Sequence, residues 1–292
     1  MNRTGLAIAL VVAVVVGVLF GVYPRLDLDI SALFYNRQIN LFEVNAQPWV
    51  MDTRAAARWV TALIVAPACL AIIGKLLMPS MRMLIGGRAA LFLVVTMALG
   101  PGVLANLILK DHWGRARPID VTELGGTFRF TAWWDPRGDC PDNCSFIAGE
   151  PSGAFWTLAP AALAPPQWRL LAYAGALAFG GAVGLLRIAG GGHFFTDVVF
   201  AGVFMFLLIW TAHALIFRWR ATRLAEGSVE RWLERAGEAA YAAIGLSAAR
   251  PPTAFTPAAL PELMASLPHA TNVRANSGDS SGGDSTGRSK DF

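Results

Sequence analysis

Six long apolar runs constrain this chain more than any other feature. They fall at about residues 5–22, 59–77, 89–109, 155–163 with its flanks, 170–186 and 194–217. Each is near the ~20 residues that a helix needs to cross the hydrocarbon of a bilayer. With 55% hydrophobic and only 15% charged residues, and a mean hydropathy of +0.48, the chain falls outside the soluble globular class. The expectation is an all-α bundle of six transmembrane helices. The fourth run is the weakest, because Pro160, Pro165 and Pro166 interrupt it, and it must begin near Glu150 to be long enough.

The first run follows Arg3 but is continuously apolar and ends in GVYPRLDLD, with no small-residue cleavage site, so it reads as an uncleaved span. With the N-terminus inside, Lys75, Arg82, Arg88, Arg169, Arg218, Arg220 and Arg223 all fall on the cytoplasmic side. Six spans with both termini inside satisfy that rule. Residues 23–56, 110–149 and 187–193 are then on the outer face. In a bacterium-like cell that face is the oxidising periplasm, and Cys140 and Cys144 sit there in GDCPDNCSF, while Cys69 lies in a span. A Cys140–Cys144 disulfide is expected, the alternatives being free thiols or half of a metal site.

Beyond the last run, residues 227–246 place Val229, Trp232, Leu233, Ala236, Ala240 and Ile244 on one face of an amphipathic cytoplasmic helix, interfacial or docking. Residues 250–292 are rich in Pro, Ala, Ser and Gly without a period, and are expected to be a disordered tail. The domain division is therefore 1–220 for the membrane unit, then the helix, then the tail.

Charges collect at the outer edges of the spans. In LKDHWGRARP, Lys110 and Arg117 are seven apart, two helical turns, so on one helix they would face the same way. Taken alone, they could be snorkelling anchors. In LRIAGGGHFFTD, Arg187 precedes His193, and Asp197 follows it by one turn, in reach to orient the imidazole. Gly190, Gly191 and Gly192 could turn backbone N–H groups toward an anion. Cationic side chains, an oriented imidazole and a glycine nest describe a phosphate site. No acidic cluster suited to a metal accompanies them, so metal-free phosphoryl transfer through a phosphohistidine is expected, without a cofactor.

These spacings resemble the type 2 phosphatidic acid phosphatase (PAP2) superfamily, membrane phosphatases related to vanadium haloperoxidases, whose motifs are K-x6-RP, PSGH and SR-x5-H-x3-D. Lys110 to Pro118 matches the first. Arg187, His193 and Asp197 match the third, with Leu186 in place of its serine. The resemblance implies a six-span helical bundle over roughly residues 1–220. It also implies His193 as nucleophile, Asp197 orienting it, and Lys110, Arg117 and Arg187 binding the phosphate.

The second motif departs from the pattern. SFIAGEPSGAFW contains Pro151, Ser152 and Gly153, followed by Ala154 where the acid histidine belongs. Reading IAGE as the motif instead places Glu150 at the histidine and Gly149 at the phosphate-side glycine. A phosphate dianion and a low-dielectric boundary would raise the Glu150 pKa and make it a general acid. Two alternatives stay open: Ala154 marks a lost acid and an impaired, lipid-binding protein, or Glu150 is only a helix-end charge.

A site at the membrane–water boundary suits a phosphorylated lipid, and LKDHWGRARP, TELGGTFRF and CSF are similar to the lipid A phosphatase branch. Undecaprenyl pyrophosphate or phosphatidylglycerol phosphate hydrolysis and lipid phosphotransfer are the rivals. Arg115, Arg129, Trp133, Trp134 and Arg137 are candidates for headgroup contacts, the two tryptophans also for interface anchors. The expected partners are the bilayer and its phosphorylated lipid, with no nucleic acid.

Overall fold

A backbone in lipid must pair its own N–H and C=O groups, which makes each apolar run a helix. The computed structural model describes residues 2–225 and 227–245. α1 (Arg3–Val22) is capped by the Asn2 side chain, which accepts from the Gly5 N–H at 2.9 Å. α2 (Arg25–Ala32) follows, then a two-residue antiparallel pairing of β1 (Tyr35–Asn36) with β2 (Leu41–Phe42). α3 (Pro48–Leu77) and α4 (Gly87–His112) form a pair. The short α5 (Gly149–Phe155) and α6 (Leu158–Leu163) lead into α7 (Pro166–Ala189), α8 (Phe195–Arg218) and finally α9 (Ser228–Ala243). The all-α expectation holds.

Among the described residues five helices, α1, α3, α4, α7 and α8, are long and apolar enough to cross a membrane. The fourth expected span differs: its residues form α5 and α6, of 7 and 6 residues, broken at Trp156 and Thr157. This segment runs antiparallel to α7, with Glu150 near Arg187, Phe155 against Gly180, and the Ala164 carbonyl accepting from Arg169. Leu158, Ala159, Ala161 and Ala162 are buried, so the segment is wrapped by protein. That is where interrupted helices are tolerated, because side chains can satisfy the freed backbone. The Trp156 indole donates to Thr96 Oγ1 of α4 at 3.0 Å, and the Phe155 ring fills the space that Gly180 and Gly202 leave open.

Two boundaries also move. α3 begins at Pro48, 11 residues before the apolar run at Trp59, because Pro at its first position presets the dihedral and the charges of Asp52, Arg54 and Arg58 mask a continuous helix. Within α4, residues 98–109 open into π-helical turns around Pro101, whose carbonyl accepts from Asn106 Nδ2 at 2.6 Å.

The amphipathic stretch is a docking helix. α9 buries Val229, Leu233 and Gly237 against α3 and α4. Glu230 accepts from the Gly87 N–H at 3.1 Å, Glu234 pairs with the buried Lys75 at 3.3 Å, and Tyr241 donates to the Leu77 carbonyl at 2.6 Å. The expected disordered tail at residues 250–292 lies outside the described residues.

Gly180→Leu should lower stability by about 1–3 kcal/mol, because its first side-chain carbon would fall inside the Phe155 ring. Gly175→Ala, where an added Cβ meets nothing within 4 Å, should leave stability equal or slightly higher. Thermal unfolding in detergent reads both.

Candidate active site

The ends of α3, α4, α5 and α7 and the loops beside them enclose a cavity of about 160 Å³, lined by Arg54, Lys110, Arg117, Asn143, Glu150, Arg187 and His193. That volume exceeds the ~30 Å³ share of one water molecule severalfold. Four cationic side chains face one carboxylate, so the cavity carries a net positive charge suited to a phosphoryl dianion. Lys110, Arg117, Glu150, Arg187 and His193 come from three separate sequence motifs and meet here.

Lys110 and Arg117 reach the cavity by a route other than a shared helix face. α4 ends at His112, and Gly114 in the left-handed region (φ +70°) turns the chain against Gly138, so Arg117 sits in extended backbone. The Asn143 carbonyl accepts from Arg117 Nε at 3.1 Å and Nη2 at 2.7 Å. That carbonyl belongs to a loop in which Cys140 and Cys144 are joined in a disulfide, Cα atoms 5.8 Å apart. Burial pulls the Arg117 pKa down, and neighbouring Arg54 adds to the effect.

The glycine nest is a second correction. Gly190, Gly191 and Gly192 donate their N–H groups to the carbonyls of Leu186, Ile188 and Arg187 at 3.0, 2.9 and 2.8 Å, closing the C-terminus of α7. Their amides are consumed, so they are not available to an anion. What Gly192 provides is room, since a Cβ there would collide with the Arg187 guanidinium. Arg187 Nε is buried without a hydrogen-bond partner, 3.7 Å from Glu150 Oε2. Such an unmade bond is costly unless a ligand supplies the acceptor.

His193 is oriented by a neighbour the sequence did not suggest. Its Nδ1 lies 2.8 Å from the Ser145 carbonyl, which can only accept, so Nδ1 carries the proton and Nε2 keeps a lone pair. Asp197 was expected to take that proton directly but is 3.9 Å away. Its oxygens are engaged by the Ser145 hydroxyl, the Phe194 N–H at 2.8 Å and Arg115. Asp197 therefore holds Ser145, and Ser145 holds the histidine. Burial, with Arg187, Arg117 and Lys110 adding to it against the Ser145 hydrogen bond, pushes the His193 pKa well below its ordinary value. The imidazole is neutral where a free histidine would be half charged.

Arg115, an expected headgroup contact, has no solvent exposure. It bridges Asp197 and Asp27 (2.8 Å) and donates to Thr196 Oγ1 (2.9 Å) and the Thr131 carbonyl (2.9 Å). Burial opposes its charge, yet Asp197 and Asp27 outweigh burial and raise its pKa. Among the other expected headgroup contacts, Trp133 is half-buried, tilted against Phe200 with centroids 4.4 Å apart, donates to the Gly17 carbonyl at 3.3 Å and does not line the cavity. Trp134, Arg129 and Arg137 are exposed and do not line the cavity, Arg137 pairing with Asp135.

Glu150 lies in the first turn of α5 and faces the cavity, whereas Ala154, one turn further, is 2% exposed and does not line it. Gly149 stands behind Glu150, against Asn106, and is not part of the lining. The upward shift of Glu150 was expected beside a phosphate dianion; among the arginines alone the direction is down. Burial alone would raise its pKa, but hydrogen bonds from Arg54 and the fields of Arg187, Arg54 and Arg58 outweigh burial and lower it. Arg54 Nη2 and Nε lie 2.7 and 3.0 Å from its two oxygens, and Arg58 is 3.3 Å away. Arg54 and Arg58 escaped the sequence reading, although their spacing of four on the leading edge of a span is a helical signal. Among the described residues no group of three or more His, Cys, Asp or Glu side chains could hold a metal ion.

Comparison with known proteins places this geometry in context. A PAP2 superfamily profile matches residues 89–221. A lipid A 4'-phosphatase of Francisella tularensis subsp. novicida (strain U112) is 32% identical over 75% of this chain and 98% of its own length. A lipid A 4'-phosphatase of Rhizobium leguminosarum is 36% identical over 36% of this chain and 45% of its own length. No solved structure matches the chain significantly.

Arg115→Met should cost about 3–5 kcal/mol, because it leaves the carboxylates of Asp27 and Asp197 buried without their shared cation. The loss is read as a lower melting temperature of the detergent-solubilised protein.

Proposed function

From the premise that the chain belongs to the PAP2 superfamily and is a membrane lipid phosphatase, we propose that it removes a phosphate from lipid A through a phosphohistidine. The observation that carries the mechanism is the neutral His193, its Nδ1 proton committed to the Ser145 carbonyl, in the wall of a cavity with four cationic side chains. Nε2 attacks phosphorus as the phosphorus–oxygen bond of the ester breaks. Lys110, Arg117 and Arg187 neutralise the charge that spreads over the three equatorial oxygens. The departing oxygen takes a proton from Glu150. The Glu150 carboxylate then takes a proton from water, whose oxygen attacks phosphorus, and the phosphorus–nitrogen bond breaks to restore neutral His193.

Glu150 can serve only if it is protonated when substrate is bound. A phosphoryl dianion offers Arg54 and Arg187 a better partner and adds a like charge beside the carboxylate, and both effects raise its pKa. The proposed acid is thus held ionised by Arg54 and Arg187 and receives its proton when the substrate phosphate engages them. The cations chiefly replace a metal ion in this scheme, so no metal cofactor is invoked.

Lipid A is proposed as substrate because the relatives that align are named lipid A 4'-phosphatases. A periplasmic location of the site, with both termini cytoplasmic, is supported by the basic residues at the other end of the bundle, Lys75 and Arg88 among them. The proposed catalytic unit extends over residues 1–220, with α9 on its cytoplasmic end.

His193→Ala should abolish phosphate release from lipid A while the protein still inserts and folds, and the unaltered protein should retain its activity in EDTA. Phosphate release from purified protein in mixed micelles checks both; turnover by the alanine variant would rule out the phosphohistidine. Glu150→Gln should lower turnover by about 10²- to 10⁴-fold. Ala154→His should give no gain, because residue 154 is buried outside the cavity. A gain there, with a silent Glu150→Gln, would instead mark a protein that has lost its acid.

A further inference from the structure

A second concavity begins deeper along the walls of the first. It is an open groove of about 460 Å³, lined by Val60 and Ile64 of α3, Pro160 and Ala161 of α6, and Gly175 and Phe179 of α7, among others. The three segments that make it are those that carry Arg54, Glu150 and Arg187 into the cavity. Counting along α3 from Arg54 and along α7 from Arg187, at a rise of ~1.5 Å per residue, the groove lies roughly 9–18 Å further into the bundle. Its floor is closed by buried Ala161 and Ala176. The hydroxyl of Thr157, which also lines it, donates to the Ala154 carbonyl at 2.6 Å, so that donor is already used. Arg58, two residues before Val60 on α3, lines neither concavity; its side chain is 56% exposed and 3.3 Å from Glu150.

Small residues on α6 and α7, Ala161, Ala172, Gly175 and Ala176, leave the concavity open opposite Val60 and Ile64 of α3. A Cβ added at Gly175 meets nothing within 4 Å. We propose that the groove receives one acyl chain of the phosphorylated lipid whose phosphate occupies the cavity; this rests on the reading of the cavity as a phosphate site. Continuity of the walls argues for the substrate's own chain over a bulk lipid. A free lipid tail gains little by leaving the bilayer, where its neighbours are as apolar as the groove. A chain tethered to a bound phosphate is instead held beside the groove at high effective concentration. The groove's contribution is to position the scissile bond against His193, where small displacements cost rate.

The test fills the groove without disturbing the cavity. Gly175→Phe and Val60→Trp approach it from opposite walls, and Gly181→Phe, on an exposed position of α7 where a Cβ also meets nothing within 4 Å, is the control outside it. Each is assayed in mixed micelles with lipid A and separately with the water-soluble p-nitrophenyl phosphate, with a melting curve as a check on folding. The expected result is a loss of about tenfold or more in kcat/KM for lipid A in both groove variants, with p-nitrophenyl phosphate hydrolysis within about twofold of the unaltered protein, and neither substrate affected in the control. An unchanged lipid A rate in both groove variants would mean that bulk lipid fills the groove. Equal losses on both substrates, or the same loss in the control, would equally overturn the proposal. Failure of the unaltered protein to release phosphate from either substrate would remove the phosphatase reading itself, a separate result.

Discussion

Arg115 carries its charge with no exposure to water, clasped between Asp27 of α2 and Asp197 of α8. A buried guanidinium with two carboxylates is a poor source of net stability, since desolvating three charges offsets most of their attraction. What it fixes is geometry. Thr196 donates its hydroxyl and its backbone N–H to Asp27, and Asp197 spends its second oxygen on Ser145 and the N-terminus of α8. The first turn of α8, the start of the chain and the loop before α5 are thereby locked to one another. His193 inherits its orientation from this frame through the Ser145 carbonyl, with no direct hold by Asp197.

The cavity lives under a different constraint, an excess of like charge. Lys110, Arg117, Arg187 and Arg54 converge around a single carboxylate. Glu150 relieves their repulsion, which is why its proton is held less tightly than burial alone would dictate. In the proposed reaction the same carboxylate gives up its counter-ions to an incoming phosphate. On that proposal binding and protonation are coupled, with Arg54 and Arg187 exchanging Glu150 for the phosphate.

Much of the fold and part of this site were legible in the sequence. Apolar runs gave the positions of the long helices, because hydropathy reports lipid exposure. It failed at α5 and α6 for the same reason: a segment wrapped by protein is released from the lipid's demand for an uninterrupted apolar helix. The spacing of Lys110, Arg117, Arg187 and His193 brought the right residues together, although Gly114 breaks the helix on which the first two were placed and the three glycines close α7 without cradling an anion. Ser145 and Asp27 lay beyond reach, and the spacing of Arg54 and Arg58 marked a helix edge without naming Glu150 as their partner. Each acts on a partner far away in sequence, Arg54 on a carboxylate 96 positions later, and such pairings are set by packing that no local period encodes.

The matched family region, residues 89–221, contains every residue of the three motifs but neither Asp27 nor Arg54. Cut to that region, the chain would keep His193 and the cations Lys110, Arg117 and Arg187. It would also hold a guanidinium with half its counter-charge missing and a cavity open on the side that α3 now closes. The constellation in the cavity is therefore not a portable cassette. Its signature can be inherited intact while the site is lost, so the first quarter of the chain deserves the same scrutiny as the motifs when function is transferred between relatives.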